Sequence, residues 1–283
     1  MLAAQRRSEI MALLERDRIV RVSHLVSALG VSDMTIRRDL LVLHEQGALE
    51  KVHGGAVVHA EPSTAEPGFE AKSARQLAQK EAIAARAAQL VHPGSAIAVS
   101  AGTTTFAFAR HLVAIPGLTV VTNSVWVADL LHGAQVPSHT VLLTGGVRTP
   151  SDALVGPVAI AALRSLHLDT VFMGVHGMDA DAGFSTPNLL EAETNRAMIA
   201  SGRRLVVVAD STKWGVVGLS SMAALSEASA LITDTGLSQT ARQALAEHVD
   251  ELVLVPPEEN SDGWQGSAAV PASPSDSLPS ATR

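Results

Sequence analysis

Val31-Ser-Asp-Met-Thr-Ile-Arg-Arg-Asp-Leu40 is the stretch that decides how the first part of this chain folds. Ser32 is a good helix N-cap, because its hydroxyl can accept a hydrogen bond from a free amide of the first turn. Apolar residues then recur at the spacing of one buried helical stripe, at Ile36, Leu40 and Leu43. Gly47 is a natural C-cap at which this helix is expected to end. A helix this short buries only one face and leaves its arginines for phosphates or base edges, as in a DNA-recognition helix.

The residues on either side predict a small helical domain with a β-hairpin. The predicted elements are helices over Gln5–Arg16 and His24–Leu29, the second capped by Ser23 and ended by Gly30, an extended piece at Ile19–Val22, and strands over Leu49–Val52 and Ala56–Val58. Glycines in the turn His53-Gly54-Gly55 permit the positive φ of a tight hairpin. Three helices and a two-stranded hairpin indicate a winged helix-turn-helix, which we place at residues 1–58.

The second helix of a helix-turn-helix unit lies in the major groove of DNA. There Thr35 can contact a thymine methyl group, while Arg37 and Arg38 can bind guanine or phosphates. Asp39 is expected to orient one of these arginines. Two adjacent arginines alone are more often a solvated helix face, but the surrounding spacing favours DNA binding. The predicted DNA-binding residues are Ser32, Thr35, Arg37, Arg38, His53, Gly54 and Gly55.

The composition of the chain narrows the class of protein, but by itself it does not predict nucleic-acid binding. The 283 residues are enough for one small and one ordinary domain. Residues 1–55 hold 8 Lys and Arg against 7 Asp and Glu, and residues 56–283 hold 13 against 21, so the first segment is only mildly basic. Cysteine is absent, which excludes disulfides and thiolate metal sites. With no bilayer-length apolar run and no signal-peptide pattern, we expect a cytoplasmic protein without metal, cofactor or membrane partner.

Beyond the hairpin, the composition and the apolar pattern of the sequence change twice. Residues 59–70 are rich in proline and small residues and are predicted to be a linker, and residues 256–283 to be a disordered tail. Residues 71–255 alternate helices, the first over Ala71–Leu90, with short apolar runs. The predicted strands are Ala96–Val99, Leu118–Val121, Thr140–Leu143, Thr170–Met173, Leu205–Ala209, Ala230–Thr233 and Leu252–Val255. Such runs indicate a mostly parallel sheet covered on both faces, so the fold class is α/β.

Polar residues follow several of these strands, and the carboxyl ends of parallel strands meet at one crevice. The turn Gly102-Thr-Thr-Thr105 leads from a strand into a helix, where amides and hydroxyls can surround an anion. The other polar residues expected there are Asn123, Ser124, Arg148, Asp179, Asn188, Glu191 and Lys213. Each also has a structural interpretation, as a helix cap, a turn residue or a surface charge.

Two parts of the chain resemble the DeoR family of bacterial transcriptional regulators. Residues 5–58 resemble its winged helix-turn-helix, on the runs Ser32–Leu40 and Val52–Ala56 with Leu43 and Gly47. Residues 70–255 resemble its sensor domain. The motifs there are Gly102-Thr-Thr-Thr105, Val121-Thr-Asn-Ser124, Gly145-Gly-Val-Arg148, Leu154-Val-Gly-Pro157, Ser185-Thr-Pro-Asn188 and Asp210-Ser-Thr-Lys213. The resemblance implies a sensor fold similar to ribose-5-phosphate isomerases and CoA transferases.

The resemblance also implies roles for particular residues. Thr35, Arg37 and Arg38 would face operator DNA. Gly102, Thr103, Thr104 and Thr105 would hold the phosphate of a phosphorylated sugar or related metabolite. Asn123, Arg148, Asn188, Glu191 and Lys213 would lie near that effector.

Two positions depart from the pattern of the family. Many members have Asp where this chain has Ser100, and Asp again where it has His176. Carboxylates there would bind sugar hydroxyls or act as bases, so their loss indicates a different or more anionic effector and weakens an enzymatic interpretation. For His176, a structural role and a ligand contact are equally consistent with the sequence.

The sequence therefore predicts a regulator rather than an enzyme. The predicted function is repression of carbohydrate-metabolism genes through binding to operator DNA, under the control of a phosphorylated sugar or related metabolite. The protein is expected to act as a homo-oligomer, a dimer or a tetramer. One alternative is a sugar-phosphate isomerase-like enzyme with an appended DNA-binding domain, using Asp179, Glu191 and Lys213 as acid–base groups. Another is a purely architectural DNA-binding protein.

Overall fold

The computed structural model describes residues 2–17, 19–46, 48–52, 54–58, 63–64, 66 and 68–257. The predicted helix stop Gly47, the predicted DNA contact His53, and all but the first two residues of the predicted tail lie outside these ranges.

The first six elements form a winged-helix unit. They are α1 (Ala3–Asp17), β1 (Ile19–Arg21), α2 (Val22–Leu29), α3 (Asp33–Glu45), β2 (Leu49–Val52) and β3 (Gly55–Val58). Among the described residues the strands form an antiparallel sheet in the order β1-β3-β2. The predicted winged helix-turn-helix is confirmed, but the piece expected only to be extended is a third strand, because β1 pairs with β3 along its whole length.

The helix signals of this unit are mostly as predicted. The hydroxyl of Ser32 accepts from the amide of Thr35 at 3.3 Å, and α2 ends at Gly30 with φ of 65°. Ser23 is not the cap of α2, since the helix already begins at Val22. The stripe of α3 is buried with α1 and α2 in one core, whose central members are Ile10, Leu14, Leu25, Ile36, Leu40, Leu43 and Leu49. Each such side chain contributes roughly 1.5–3 kcal/mol on burial.

The rest of the described chain is built around a parallel sheet. In order, its elements are α4 (Phe69–Ser73), α5 (Leu77–Ala88), β4 (Ala96–Val99), α6 (Thr103–Leu112), β5 (Thr119–Thr122), α7 (Val125–Gly133), β6 (Thr140–Leu143), β7 (Val147–Arg148), β8 (Leu154–Val155), α8 (Pro157–Arg164), β9 (Thr170–Gly174), β10 (Gly177–Asp179), β11 (Gly183–Thr186), α9 (Leu189–Ala200), β12 (Leu205–Val208), β13 (Ser220–Ala223), β14 (Ala230–Asp234), α10 (Gln239–Ala246) and β15 (Leu252–Val255). Short 3-10 helices lie at Ser211–Lys213 and Leu225–Glu227.

Within the described ranges, seven strands form the main sheet in the order β15-β14-β12-β9-β4-β5-β6, and every neighbouring pair is parallel. All seven were predicted from their apolar runs. Helices cover both faces, so that one core lies on each side of the sheet. On one side, the rings of Phe108 and Phe172 pack with centroids 4.4 Å apart. The predicted α/β class is confirmed.

The predicted helix over Ala71–Leu90 is wrong in one respect, because the structure divides it into α4 and α5. Gln76, between them, has a left-handed backbone with φ of 53°. The break is held by Lys80, whose ammonium group donates to the carbonyls of Lys72 and Arg75, each at 2.6 Å. A buried lysine from the second helix thus satisfies carbonyls at the end of the first.

Two small antiparallel sheets were not predicted from the sequence. Strands β7 and β8 form a two-stranded hairpin, and β10, β11 and β13 form a three-stranded sheet. Segments of two to four residues are too short to show a periodicity.

No helix among the described residues is both long and apolar enough to cross a membrane.

Candidate functional site

The main sheet contains a point where the strand order changes direction. From β4 the chain moves through β5 to β6 on one side, and then returns to β9 on the other side of β4. The ends of β4 and β9 are tied together, because the amide of Gly174 donates to Oγ of Ser100 at 3.0 Å. Ligands of open α/β sheets bind outside the carboxyl ends of the strands at such a point. We call the space outside the ends of β4 and β9 the switch crevice.

The predicted phosphate turn begins at this crevice. Gly102 precedes α6 with φ of 154°, and a Cβ there would lie 3.1 Å from Oγ1 of Thr105. Oγ1 of Thr105 donates to the carbonyl of Gly102 at 3.0 Å, and Thr105 lies against Gly174 at the end of β9. Thr104 and Thr105 are buried, whereas Gly102 and Thr103 are partly exposed. The free amides at the start of α6 therefore border the switch crevice, with Gly102 and Thr103 as the accessible part of the turn.

Asn123 and Ser124 are buried in the framework beneath the crevice. Oδ1 of Asn123 accepts from the amide of Ala101 at 2.8 Å, and its Nδ2 donates to the carbonyl of Leu154 at 3.3 Å. Ser124 caps α7 by accepting from the amide of Val127. The side chain of Asn123 thus ties the loop after β4 to the hairpin β7–β8. This is the capping and supporting role that the sequence left open for these two residues.

Charged side chains from separate segments gather beside the crevice. They are Glu66, before α4; Lys72, in α4; His176, after β9; Glu191, in the first turn of α9; and Lys213, after β12. We call these five residues the charged cluster. No ion pair engages the ammonium group of Lys72 or of Lys213 in the part of the chain that the structure describes.

Each ionisable group of the cluster is shifted by burial and by its neighbours. Burial, followed by the positive charges of Lys213 and Lys72, lowers the pKa of His176 to about 4, against the opposing charge of Glu66. Burial and then Glu66 raise the pKa of Glu191, while Lys72 and a hydrogen bond with Thr186 oppose that rise. His176 is therefore a neutral imidazole at pH 7 that can donate one hydrogen bond and accept one.

Two lysines of this region, the partly buried Lys72 and the buried Lys80, differ in what they contact. Burial lowers the pKa of Lys72, and Lys213 lowers it further, while Glu191 and Glu66 raise it. Burial also lowers the pKa of Lys80 to about 8, against the opposing charge of Asp210, but its ammonium group is taken by two carbonyls. Lys80 thus serves the structure, whereas the ammonium of Lys72 stays available to a ligand.

Asn188 joins the start of α9 to the segment before α4. Its Oδ1 accepts from the amides of Leu190 and Glu191, at 3.0 and 3.2 Å, which caps α9. Its Nδ2 donates to Oε2 of Glu66 at 3.1 Å. The other oxygen of Glu66, Oε1, is buried and makes no hydrogen bond to any described residue. Asn188 therefore positions Glu66 within the charged cluster.

Two predicted effector contacts, Arg148 and Asp179, are engaged by residues of their own turns. Arg148 is exposed on the hairpin β7–β8, where its guanidinium pairs with Asp152 at 2.7 Å. Oδ1 of Asp179 accepts from the amides of Asp181 and Ala182, at 2.9 and 3.1 Å, in the turn between β10 and β11. His176 lies at the opposite end of that pair of strands. A surface depression borders the turn that follows Asp179 but contains no member of the charged cluster.

No three His, Asp or Glu side chains are grouped to hold a metal ion in the described ranges.

The other candidate surface is the exposed face of α3. Ser32, Arg37 and Arg38 are exposed, and Thr35 is partly buried with its hydroxyl 2.9 Å from Oγ of Ser32. Arg37 forms an exposed ion pair with Asp33, one helical turn earlier. Among the described residues, Arg38 has no ion pair or hydrogen bond through its side chain. Both guanidinium groups therefore remain accessible to a large polyanion.

The expectation that Asp39 orients Arg37 or Arg38 is wrong. Asp39 is buried on the opposite side of α3, where its Oδ2 accepts from Nε of Arg6 in α1 at 2.6 Å. Helical spacing explains the outcome, since Arg37 meets the carboxylate four residues before it, at Asp33. Asp39 instead joins α3 to α1.

The wing is built on two glycines with different roles. Gly54 has φ of 81° with open space around it, and its carbonyl accepts from the amide of Val22 at 2.9 Å. A Cβ at Gly55 would lie 2.1 Å from the carbonyl oxygen of Val20, so this position requires glycine for β3 to pair with β1. Val52 and Lys51 are exposed along the same hairpin.

Comparison with known proteins places both units in one family. The DeoR-like helix-turn-helix domain matches residues 6–61, and the DeoR C terminal sensor domain matches residues 75–235. The chain belongs to the DeoR family of transcriptional regulators. This DeoR-family chain is 39% identical over 251 residues to "Uncharacterized HTH-type transcriptional regulator YgbI" of Escherichia coli K12, covering 87% of this chain and 95% of the relative.

A second relative has a more specific name. The "Glycerol-3-phosphate regulon repressor" of Escherichia coli K12 is 30% identical over 251 residues, covering 88% of this chain and 98% of the relative. Among solved structures, ribose 5 phosphate isomerase A from Neisseria gonorrhoeae matches with a TM-score of 0.35 and 15% identity, over 48% of this chain and 52% of that one.

Sequence reasoning missed two members of the charged cluster in this DeoR-family chain. Glu66 falls in the stretch predicted to be a linker, and Lys72 falls in a helix predicted to be continuous. Neither Glu66 nor Lys72 lies in a sequence motif that would have indicated a binding site. Glu191 and Lys213 were predicted and belong to the cluster, whereas His176 was left undecided.

Proposed function

We propose that the protein is an operator-binding repressor of carbohydrate-metabolism genes, and that a phosphorylated sugar or related metabolite controls its affinity for DNA. The observation that carries the proposal is the charged cluster beside the switch crevice, next to the start of α6. Two ammonium groups without an ion pair to any described residue, near a helix N-terminus, favour an anionic ligand, and carboxylates and an amide nearby suit hydroxyl groups. The name of the glycerol-3-phosphate regulon repressor supports the same class of effector.

The proposal includes the arrangement of the whole protein. Residues 59–70 link residues 1–58 to residues 71–255, and two copies of α3 read two half-sites of an operator. A homo-oligomer is needed for this, because one mildly basic winged helix holds too few phosphate contacts for tight binding on charge alone. Ser32, Thr35, Arg37, Arg38, Gly54 and Gly55 supply the DNA contacts, together with His53.

We propose further that the protein is not an enzyme. Of the acid–base groups that an isomerase would use, Asp179 is held by two backbone amides in a turn. Ser100 uses its hydroxyl to tie β4 to β9. Glu191 remains a candidate acid because burial raises its pKa. Turnover of ribose 5-phosphate by the wild type that disappears in Glu191→Gln would overturn this part of the proposal.

The test of the main proposal is fluorescence anisotropy of the full chain on DNA from upstream of its own coding region. Arg37→Ala with Arg38→Ala should weaken specific binding by about 2–6 kcal/mol in total. The matched control is Arg164→Ala, an exposed arginine at the end of α8. At least one phosphorylated sugar or polyol should change the DNA affinity of the wild type and raise its melting temperature, since a ligand that binds only the folded state stabilises it. Absence of a sequence-specific complex under all these conditions would contradict the proposal.

A further inference from the structure

The segment that joins the two units also forms part of the charged cluster. The amide of Leu219 donates to the carbonyl of Ser63 at 3.0 Å, and Nδ2 of Asn188 donates to Oε2 of Glu66 at 3.1 Å. Further on, the ring of Phe69 stacks on Trp126 with centroids 5.2 Å apart. We call residues 63–72 the connecting arm; its described residues thus lie against the sensor unit and carry Glu66 and Lys72 into its site.

Within the cluster, the two ammonium groups define an anion site. Lys213 lies close enough to Lys72 for its positive charge to lower the pKa of Lys72, yet no ion pair neutralises either ammonium group among the described residues. Like charges brought together at partial burial are unfavourable unless an anion joins them. Lys80 cannot supply this function, because its hydrogen bonds go to the carbonyls of Lys72 and Arg75.

Glu66 supplies a hydrogen-bond acceptor beside the two ammonium groups. One carboxylate oxygen is held by Asn188, and the other is buried without a hydrogen bond to any residue that the structure describes. A buried carboxylate oxygen is costly to leave without a donor, so a donor from outside the described residues is expected. Hydroxyl groups of a polyol are donors that would suit it.

We infer that Lys72 and Lys213 hold the anionic group of the effector between them, and that Glu66 accepts a hydrogen bond from one of its hydroxyls. This inference rests on the proposed function and deepens it, because it makes the connecting arm part of the effector site. The loop of Lys213 is also the place where the sensor unit meets the winged-helix unit, since α1 lies beside Ser211–Lys213. Effector bound there touches both the arm that leads to the wing and the loop that faces α1.

Binding at this site changes the position of the DNA-binding units only if the effector prefers one arrangement of the arm. The carboxylate of Glu66 is the element through which the effector acts on the arm, because a hydroxyl that donates to Oε1 adds to the bond from Asn188 at Oε2 and favours the arrangement in which both are made. In Lys72→Met, operator binding should therefore lose its response to effector.

The first experiment uses inorganic phosphate as the probe and needs no knowledge of the natural effector. His176 faces Lys72, Lys213 and Glu66, so an anion between the lysines should raise the pKa of its imidazole. The pKa is followed by NMR in the full chain with isotope-labelled histidine, and His176→Gln assigns the signal. The increase with phosphate should vanish in Lys72→Met, be retained in Lys72→Arg, and be unchanged in the control Lys51→Met on β2, an exposed lysine. A wild-type pKa that does not respond to phosphate overturns the inference.

The second experiment uses the sugar phosphate that changes DNA affinity in the anisotropy assay. Calorimetric titration should show a Kd for the sugar phosphate raised at least about tenfold in Lys72→Met and in Glu66→Gln, and unchanged in the control Lys51→Met. Unchanged affinity for the sugar phosphate in both variants would show that the arm is outside the site and overturn the inference, while leaving the proposed function in place. If no sugar phosphate alters DNA binding but phosphate still acts on His176 through Lys72, the proposed function fails and the anion site stands.

Discussion

Asp39 illustrates at the scale of one residue how a charged side chain can stabilise the fold on a helix whose other face is proposed to bind DNA. Its carboxylate and the guanidinium of Arg6 are both largely buried, with side-chain exposures of 8% and 12%. Arg37 and Arg38 on the same helix are exposed. The orientation of α3 relative to α1 therefore depends on a buried ion pair that lies beneath the surface offered to DNA.

Asp39→Ala is expected to destabilise the winged-helix unit by about 3–5 kcal/mol, because it leaves the charge of Arg6 buried without this carboxylate. Hydrogen exchange of the α3 amides measures the loss locally. Arg6→Met combined with Asp39→Leu should recover much of it, since the double change removes both charges. Equal destabilisation by Asp39→Ala and by Asp33→Ala, which acts on an exposed pair, would contradict this prediction.

His176 makes stability depend on pH. Its pKa is about 4 in the folded protein against an ordinary value of 6.5, owing first to burial and then to Lys213 and Lys72. Between these values the unfolded chain binds a proton that the folded protein does not, so stability falls as the pH falls from 6.5 towards 4. His176→Gln should flatten this part of the profile in urea unfolding at pH 7, 5.5 and 4.5. The prediction is wrong if the variant and the exposed control His92→Gln follow the same profile.

At the scale of elements, the break between α4 and α5 decides where Lys72 lies. A continuous helix would carry Lys72 along the axis of α5, whereas the turn at Gln76 sets α4 apart from it. Lys80 holds this turn with two short hydrogen bonds from a side chain that is 6% exposed. An element boundary that sequence periodicity did not show thus determines where one lysine of the charged cluster lies.

Lys80→Met should lower the free energy of unfolding by about 1–3 kcal/mol, because methionine fills a similar volume but leaves two carbonyls without their charged donor. Urea unfolding at pH 7 measures the change. Lys51→Met, on the exposed wing, is the matched control and should change stability by less than about 0.5 kcal/mol. A Lys80→Met protein as stable as the wild type would mean that the cost of burying the ammonium cancels its hydrogen bonds.

At the scale of the whole molecule, the main sheet ends in an edge that is unusually apolar. Strand β6 pairs with β5 on one side, and no described residue pairs with its other side. Leu142 and Leu143 in β6 and Val147 in β7 are 39%, 44% and 63% exposed. Unprotected apolar edges invite pairing with another chain, which agrees with the proposed homo-oligomer.

Leu143→Glu is therefore expected to shift the protein towards the monomer in sedimentation velocity and to weaken operator binding with it, because two half-sites could no longer be read together. Leu77→Glu, at an exposed leucine at the start of α5, serves as the control and should leave the sedimentation coefficient unchanged. A wild-type protein that is monomeric at micromolar concentration would contradict the prediction. So would a Leu143→Glu protein with the same sedimentation coefficient as an oligomeric wild type.

The sequence by itself was sufficient for features that depend on neighbours along the chain. The Ser32 cap, the stripe of Ile36, Leu40 and Leu43, and the seven apolar strands follow from local spacing and burial, and all of them are present in the structure. The location of the Gly102–Thr105 turn at the end of β4 is local in the same sense.

Only the tertiary structure decided which side chains share one site. Glu66, Lys72, His176, Glu191 and Lys213 come from five separate segments, and their proximity depends on the strand order and on the break between two helices. Arg148 and Asp179 carry suitable charges at plausible positions, yet Arg148 is paired with Asp152 on an exposed hairpin and the carboxylate of Asp179 is held by two amides of its own turn. Electrostatic coupling and burial act through space over a few ångströms, whereas a sequence records distance only along the chain.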